Sequence, residues 1–152
     1  MIPVTLKELL LWTSHAHKQL ADDLEQAREG TGDEPLSYLL DYLAEHEERL
    51  AESVRRFIAD SPEQLLGTRI QHYLETRLPS RDDLHLGAVN GAAVDAVTGR
   101  IVDCHNQLIQ LYRDLSTQVE LPRVSEVLEE IRELEEREIH LLYHQANRMH
   151  DL

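Results

Sequence analysis

Most charged residues in this sequence fall opposite an apolar helical stripe, but six side chains able to bind a proton or a metal ion fall within or beside one. Successive helical residues turn by roughly 100°, so positions three and four apart share a face. His17 lies three residues before Leu20 and four after Thr13. His46 and Glu47 lie three and four residues after Leu43 and just before Leu50. His105 lies four after Ile101 and three before Leu108. Glu138 lies four after Leu134 and three before Leu141, with Glu135 at the edge of that stripe. Imidazole nitrogen and carboxylate oxygen together suit iron, manganese or zinc. The same groups can instead satisfy one another as His–Glu hydrogen bonds, with or without a buried water. One arrangement or the other is required, because a buried unpaired carboxylate costs several kcal/mol and takes up a proton instead.

The heights of these residues agree. His17 lies 14 residues before Thr31, and His46 and Glu47 lie 15 and 16 after it. His105 lies 16 residues before Leu121, and Glu135 and Glu138 lie 14 and 17 after it. If residues 31 and 121 are the tips of two antiparallel hairpins, all six side chains stand at one level. Periodicity therefore predicts a mid-bundle polar layer of three histidines and up to three glutamates.

The elements that must hold this layer are legible. Thr5-Leu-Lys-Glu8 reads as a capping box. It opens a first helix over about 5–28, with Leu6, Leu9, Leu10, Leu20, Leu24 and Ala27 at helical spacing. Gly30-Thr-Gly-Asp-Glu-Pro35 ends it. Asp33 can cap a second helix over about 34–59, and Pro35 fits its first turn. Its stripe is Leu36, Leu39, Leu40, Leu43, Leu50, Val54, Phe57 and Ile58. Residues 61–88 have no clean period and read as a crossover, opened by a short turn on a capping box at Ser61-Pro-Glu-Gln64. A third helix is expected over about 89–118, on Val94, Val97, Ile101, Leu108, Tyr112, Leu115 and Val119. Glu120-Leu-Pro122 breaks it. A fourth helix follows over about 123–150, with Val124, Val127, Leu128, Ile131, Leu134, Leu141 and Leu142 inward.

The expected fold is thus all-α: one domain over 1–152, an antiparallel four-helix bundle with one long crossover between its second and third helices. Inward His and Glu on facing helices are how such bundles build metal sites. Composition narrows the function. The chain has 152 residues and a net charge of −14. With 29 acidic and only 15 basic side chains, it is a poor partner for nucleic acid or an anionic membrane. A single cysteine, Cys104, excludes an internal disulfide framework. No stretch approaches a membrane span, and the opening residues lack a basic region and a long apolar core. A cytoplasmic protein is expected.

The chain resembles the ferritin-like superfamily, the fold of rubrerythrins and bacterioferritins. IVDCHNQLIQLYRDL is similar to that family's glutamate-bearing third helix, with His105 at the glutamate position and Tyr112 one heptad on. HKQLADDL is similar in the first helix, with His17 at the glutamate position. The family's second and fourth helices each carry Glu-x-x-His. Here Leu43-x-x-His46 keeps the histidine, with Glu47 as the nearest carboxylate, and Glu135-x-x-Glu138 keeps the glutamate. The resemblance spans about residues 5–150 and implies metal ligation by His17, His46, Glu47, His105, Glu135 and Glu138. It implies a carboxylate-bridged di-iron centre in its members. This chain departs by lacking two of the carboxylates, which leaves a single metal, a different metal or an abandoned site all open.

Other candidates are weaker. Glu136, His140 and His144 share a face opposite the apolar stripe and read as solvated. Cys104 reads as a small buried residue. Leu11, Trp12, Tyr38 and Tyr42 lie off the core stripes of the first two helices. They either pack beneath the crossover or form a two-fold homodimer patch. Two functions remain: a metal-binding protein with redox or metal-handling chemistry, or a non-enzymatic interaction or stress bundle whose ancestral site is now a hydrogen-bonded core layer.

Overall fold

A computed structural model of the chain describes residues 2–74, 78–80, 84, 86 and 94–150. Four long helices carry it: α1 (Leu6–Glu29), α2 (Glu34–Asp60), α5 (Val94–Gln118) and α6 (Pro122–His150). Two short helices, α3 (Glu63–Leu66) and α4 (Gln71–Leu74), lie in the connection between α2 and α5. Among the described residues there is no strand. The expected beginning of the third helix at residues 89–93 and most of the connection's second half lie outside the described residues.

Local chemistry sets the ends. The Thr5 hydroxyl accepts from the Glu8 N–H at 3.2 Å, and the Glu8 carboxylate accepts from the Val4 N–H at 2.6 Å. This is a capping box whose return bond lands one residue further out than the standard motif. The Asp33 carboxylate caps α2 by accepting from the Leu36 N–H at 3.0 Å. The box expected at Ser61 does not form. Ser61 is instead the C-cap of α2, and its hydroxyl donates to the Phe57 carbonyl at 2.7 Å. A last-turn carbonyl four residues back lies within easier reach than the next helix, so α3 starts after Pro62 with no side-chain cap. Pro122, expected only as a breaker, is the first residue of α6, where its missing N–H costs nothing.

α1 packs along α2 and α5 along α6. Two apolar clusters fill the bundle. One joins Leu6, Leu9 and Leu10 of α1 to Val54 of α2, Leu115 of α5 and Leu128 of α6. The other joins Leu20 and Leu24 of α1 to Leu36 and Leu39 of α2, Val97 of α5 and Leu142 of α6. The beginning of α1 therefore shares one end of the bundle with the end of α2, the end of α5 and the beginning of α6. Ile70 and Leu74 belong to the first cluster, and Leu84 and Leu86 to the second. The described residues of the connection thus reach both clusters. The connection is anchored at its start by paired backbone bonds, Leu6 N–H to the Thr68 carbonyl at 2.9 Å and Ile70 N–H to the Val4 carbonyl at 2.8 Å.

One core assignment needs correction. Leu141 was expected inward but is 46% exposed. Val127 of α6 is buried, and so is the line through Val124, Leu128, Ile131, Glu135, Leu142 and Gln145. Its steps of three, four and seven leave Leu134 and Leu141 on the flank. The outer aromatics divide: Trp12 packs partly buried against both clusters and Tyr42 against the second, whereas Tyr38 is 59% exposed. Among the described residues no helix is long and apolar enough to cross a membrane.

These placements predict different mutational costs. Leu39→Ala should lose about 2–5 kcal/mol, and Leu141→Ala no more than about 0.5 kcal/mol. Urea unfolding of the two variants checks both values.

Candidate metal centre

Between the two apolar clusters, one side chain from each long helix enters a closed ring. His17 Nδ1 lies 2.6 Å from Glu47 Oε2, and His17 Nε2 lies 2.5 Å from Glu135 Oε1. His105 Nε2 lies 2.6 Å from Glu47 Oε1, and His105 Nδ1 lies 2.8 Å from Glu135 Oε2. Each imidazole thus spans both carboxylates, and each carboxylate spans both imidazoles. The two rings face each other with centroids 5.3 Å apart. All four side chains are 0–3% exposed.

Three edges are well-formed hydrogen bonds. The fourth is short but misaligned, and it leaves His105 Nδ1 and Glu135 Oε2 buried without a hydrogen-bond partner. With a proton on each nitrogen and both carboxylates ionised, the other three edges are charge-assisted N–H donations to oxygen. Electrostatics agrees. Burial alone pushes His17 down, but the attraction of Glu135 and Glu47 and their hydrogen bonds outweighs it and raises the imidazole to about 9. His105 is raised for the same reasons, with Glu47 leading. Burial pushes Glu47 and Glu135 up, and the two histidines overturn this and bring each to about 2. All four shifts run toward two imidazoliums and two carboxylates, a set with no net charge.

The other two expected residues stand apart. His46 Nδ1 lies 3.0 Å from Glu138 Oε2, and these side chains are 19% and 18% exposed. On α6 the roles are therefore reversed: Glu135, placed at the stripe's edge by the sequence pattern, is fully buried, and Glu138 leans to the seam. The cause is the same flank shift that exposes Leu141, since Leu134 and Leu141 were the anchors for Glu138. His140 and His144 are exposed, and Glu136 is engaged by Arg113 and Arg132.

Spacing placed Thr13 and Tyr112 beside the layer, but it did not give the hydroxyl contacts under the ring or single out Ser14. The Thr13 hydroxyl bonds the Tyr112 hydroxyl and also donates to the Leu9 carbonyl at 3.0 Å. The Ser14 hydroxyl donates to the Ala51 carbonyl at 3.1 Å, which ties α1 to α2. The signal was present: Thr13 is four residues before His17, and Tyr112 seven after His105. Cys104 is buried in the second cluster, and burial pushes its thiol up to about 11.

Comparison with protein-family models, curated proteins and solved structures finds no match. The donor set must therefore speak for itself. His17, His105 and Glu135 each present a ligand atom within 4.8 Å of the others, so a buried His/Glu group able to hold a metal ion is present. The orphaned atoms of His105 and Glu135 are one nitrogen and one oxygen, the donor types such an ion takes.

The ring sets the pH response of the metal-free protein. His17 rises from 6.5 to about 9, so its contribution is complete below pH 6.5 and is lost as pH rises through about 9. Glu47 and Glu135 fall from 4.5 to about 2, so theirs is complete above pH 4.5 and is lost as pH falls through about 2. With chelator present, stability should be greatest between pH 4.5 and 6.5 and should fall on both sides. Urea unfolding across pH 2–9 measures this, and stability still climbing above pH 6.5 would contradict a fully protonated ring. Under the same conditions Glu135→Ala should cost about 3–5 kcal/mol, because it leaves buried imidazoliums uncompensated. Glu138→Ala should cost under about 1 kcal/mol.

Proposed function

We propose that this chain is a metal-binding helical bundle of the ferritin-like type. Within its ring, His17, His105 and Glu135 would hold one divalent transition-metal ion, with Glu47 bonded to the remaining nitrogen of each histidine. The observation that carries this reading is the ring itself: four nitrogen and oxygen donor side chains, one from each long helix, buried in the core with one nitrogen–oxygen edge unsatisfied. The ferritin-like reading is supported by the pairing of α1 with α2 and α5 with α6, and by the connection whose described residues reach both clusters.

Charge favours a single ion. Two carboxylates and two neutral imidazoles supply two negative charges, which balance one divalent cation. Proton and metal exclude each other at each edge. Two ligand atoms sharing an ion at about 2 Å stand roughly 3.3 Å apart, longer than the 2.5–2.8 Å of the ring's edges. Binding must therefore release protons from His17 and His105. A bound iron, manganese or zinc would supply Lewis acidity, and iron or manganese a redox couple as well.

A second reading rests on the three well-formed edges. They already neutralise the layer, and a bundle that uses it only as a polar core needs no ion. Elemental analysis separates the two. Protein purified without chelator and loaded in turn with ferrous, manganous and zinc ions should retain about one ion per chain. The His17→Gln/His105→Gln variant should retain none. Affinity should strengthen as pH rises from 6 toward 9, as His17 gives up its proton. No retained ion, under reducing conditions and across that range, would favour the hydrogen-bonded layer.

A further inference from the structure

The ring is closed on most sides. Leu20, Leu43, Ile101 and Leu142 of the second cluster lie toward one end of the bundle from it, and Leu10, Ile131 and Tyr112 of the first toward the other. A hydrated ion cannot cross such layers without losing its water to an apolar surface. Between α1 and α2 the backbones are tied by the Ser14 hydroxyl on the Ala51 carbonyl.

The seam between α2 and α6 differs. Exposure of the donor side chains rises in one direction: 0% at His17 and Glu135, 3% at Glu47 and His105, then 18% at Glu138 and 19% at His46. A cleft of about 10 Å³ is lined by His46 and Glu138 and also by Glu47 and His105. That is on the order of the space needed by one water. One opening therefore touches both the outer pair and the ring. Tyr42 lies against the His46 imidazole, with ring centroids 4.3 Å apart, and fixes its place at the mouth.

Resting on the metal-binding reading, we infer that His46 and Glu138 form a loading station rather than part of the resting ligand set. An arriving divalent ion exchanges part of its water for one imidazole nitrogen and one carboxylate oxygen there. It then passes through the cleft to Glu47 and His105. The outer pair offers the same donor types as the ring but keeps contact with solvent, so the ion is never without ligands. No redox step is involved.

A station on the path speeds entry and exit alike and leaves the equilibrium unchanged. The test uses the full chain with cobalt(II), followed by its visible absorption in stopped flow. Release is followed by mixing with excess chelator. In His46→Gln/Glu138→Gln, loading and release should both slow at least tenfold, with the dissociation constant and final cobalt content unchanged. Circular dichroism of the variant confirms the fold, which this partly buried seam pair does not carry. Unchanged rates would overturn the inference by placing the route elsewhere. Cobalt content reduced by half or more would overturn it by making the pair true ligands. If the unaltered chain takes up no cobalt, the metal-binding reading itself fails, a result distinct from either.

Discussion

Two histidines and two glutamates are buried at the centre of this bundle, and the rest of the structure has to respect them. An isolated carboxylate in such a place would be several kcal/mol out of equilibrium and would protonate. The chain avoids this by symmetry of supply. α1 and α5 each give a histidine, α2 and α6 each give a glutamate, and every carboxylate meets both imidazoles. The arrangement closes only when all four helices stand at the right height and rotation. A slide of one helix by a single turn, about 5.4 Å, would break two edges at once and strand a charge. The ring therefore acts as a register lock as well as a candidate site, in the way a polar core position fixes a coiled coil.

The division of the apolar core follows from this. Leucines at either end of the bundle interdigitate with little directional preference and would tolerate several registers. The polar layer between them does not. It separates the cluster at the Thr5 capping box from the cluster at the Asp33 turn, so each hairpin end packs as its own unit. The Ser14–Ala51 and Thr13–Tyr112 bonds extend the directional contacts next to the ring. Around the level of His17, hydrogen bonds set the geometry. Elsewhere, burial of aliphatic surface sets the stability.

Much of this could be read from residue spacing. Helix ends at Thr5 and Asp33 are local events, decided by one side chain and an amide three residues away, and they stand where the pattern put them. The layer of His17, Glu47 and His105 was legible because a polar residue between leucines at three- and four-residue spacing has nowhere to point but inward. The α6 carboxylates were read less well. Leu134, Leu141 and Leu142 offer two adjacent stripes, and sequence alone does not say which one faces the bundle. Packing decides, and it places Glu135 inside and Glu138 on the seam. The ring's closure was not legible at all. That each imidazole touches both carboxylates depends on helix rotation and rotamers, which spacing does not encode. Ser61 misled for a related reason: its hydroxyl had two possible acceptors, and the nearer one belonged to the helix behind it.

On the metal-binding reading, the same ring also bounds how tightly an ion is held. A donor set that is vacant and unpaired in the metal-free chain would give the ion its full coordination energy. Here the ion must displace protons that already neutralise the layer, from imidazoles whose basicity two carboxylates have raised. The net gain is the difference between two well-paired states, so affinity is moderated and made pH-dependent without any change of ligand. The misaligned edge between His105 and Glu135 is where that balance tips. It contributes least to the protonated state, and its two atoms are the nitrogen and oxygen that an ion would find least defended. A layer built this way is stable with protons alone and remains able to exchange them for a metal, which suits a site that handles an ion more than one that locks it in.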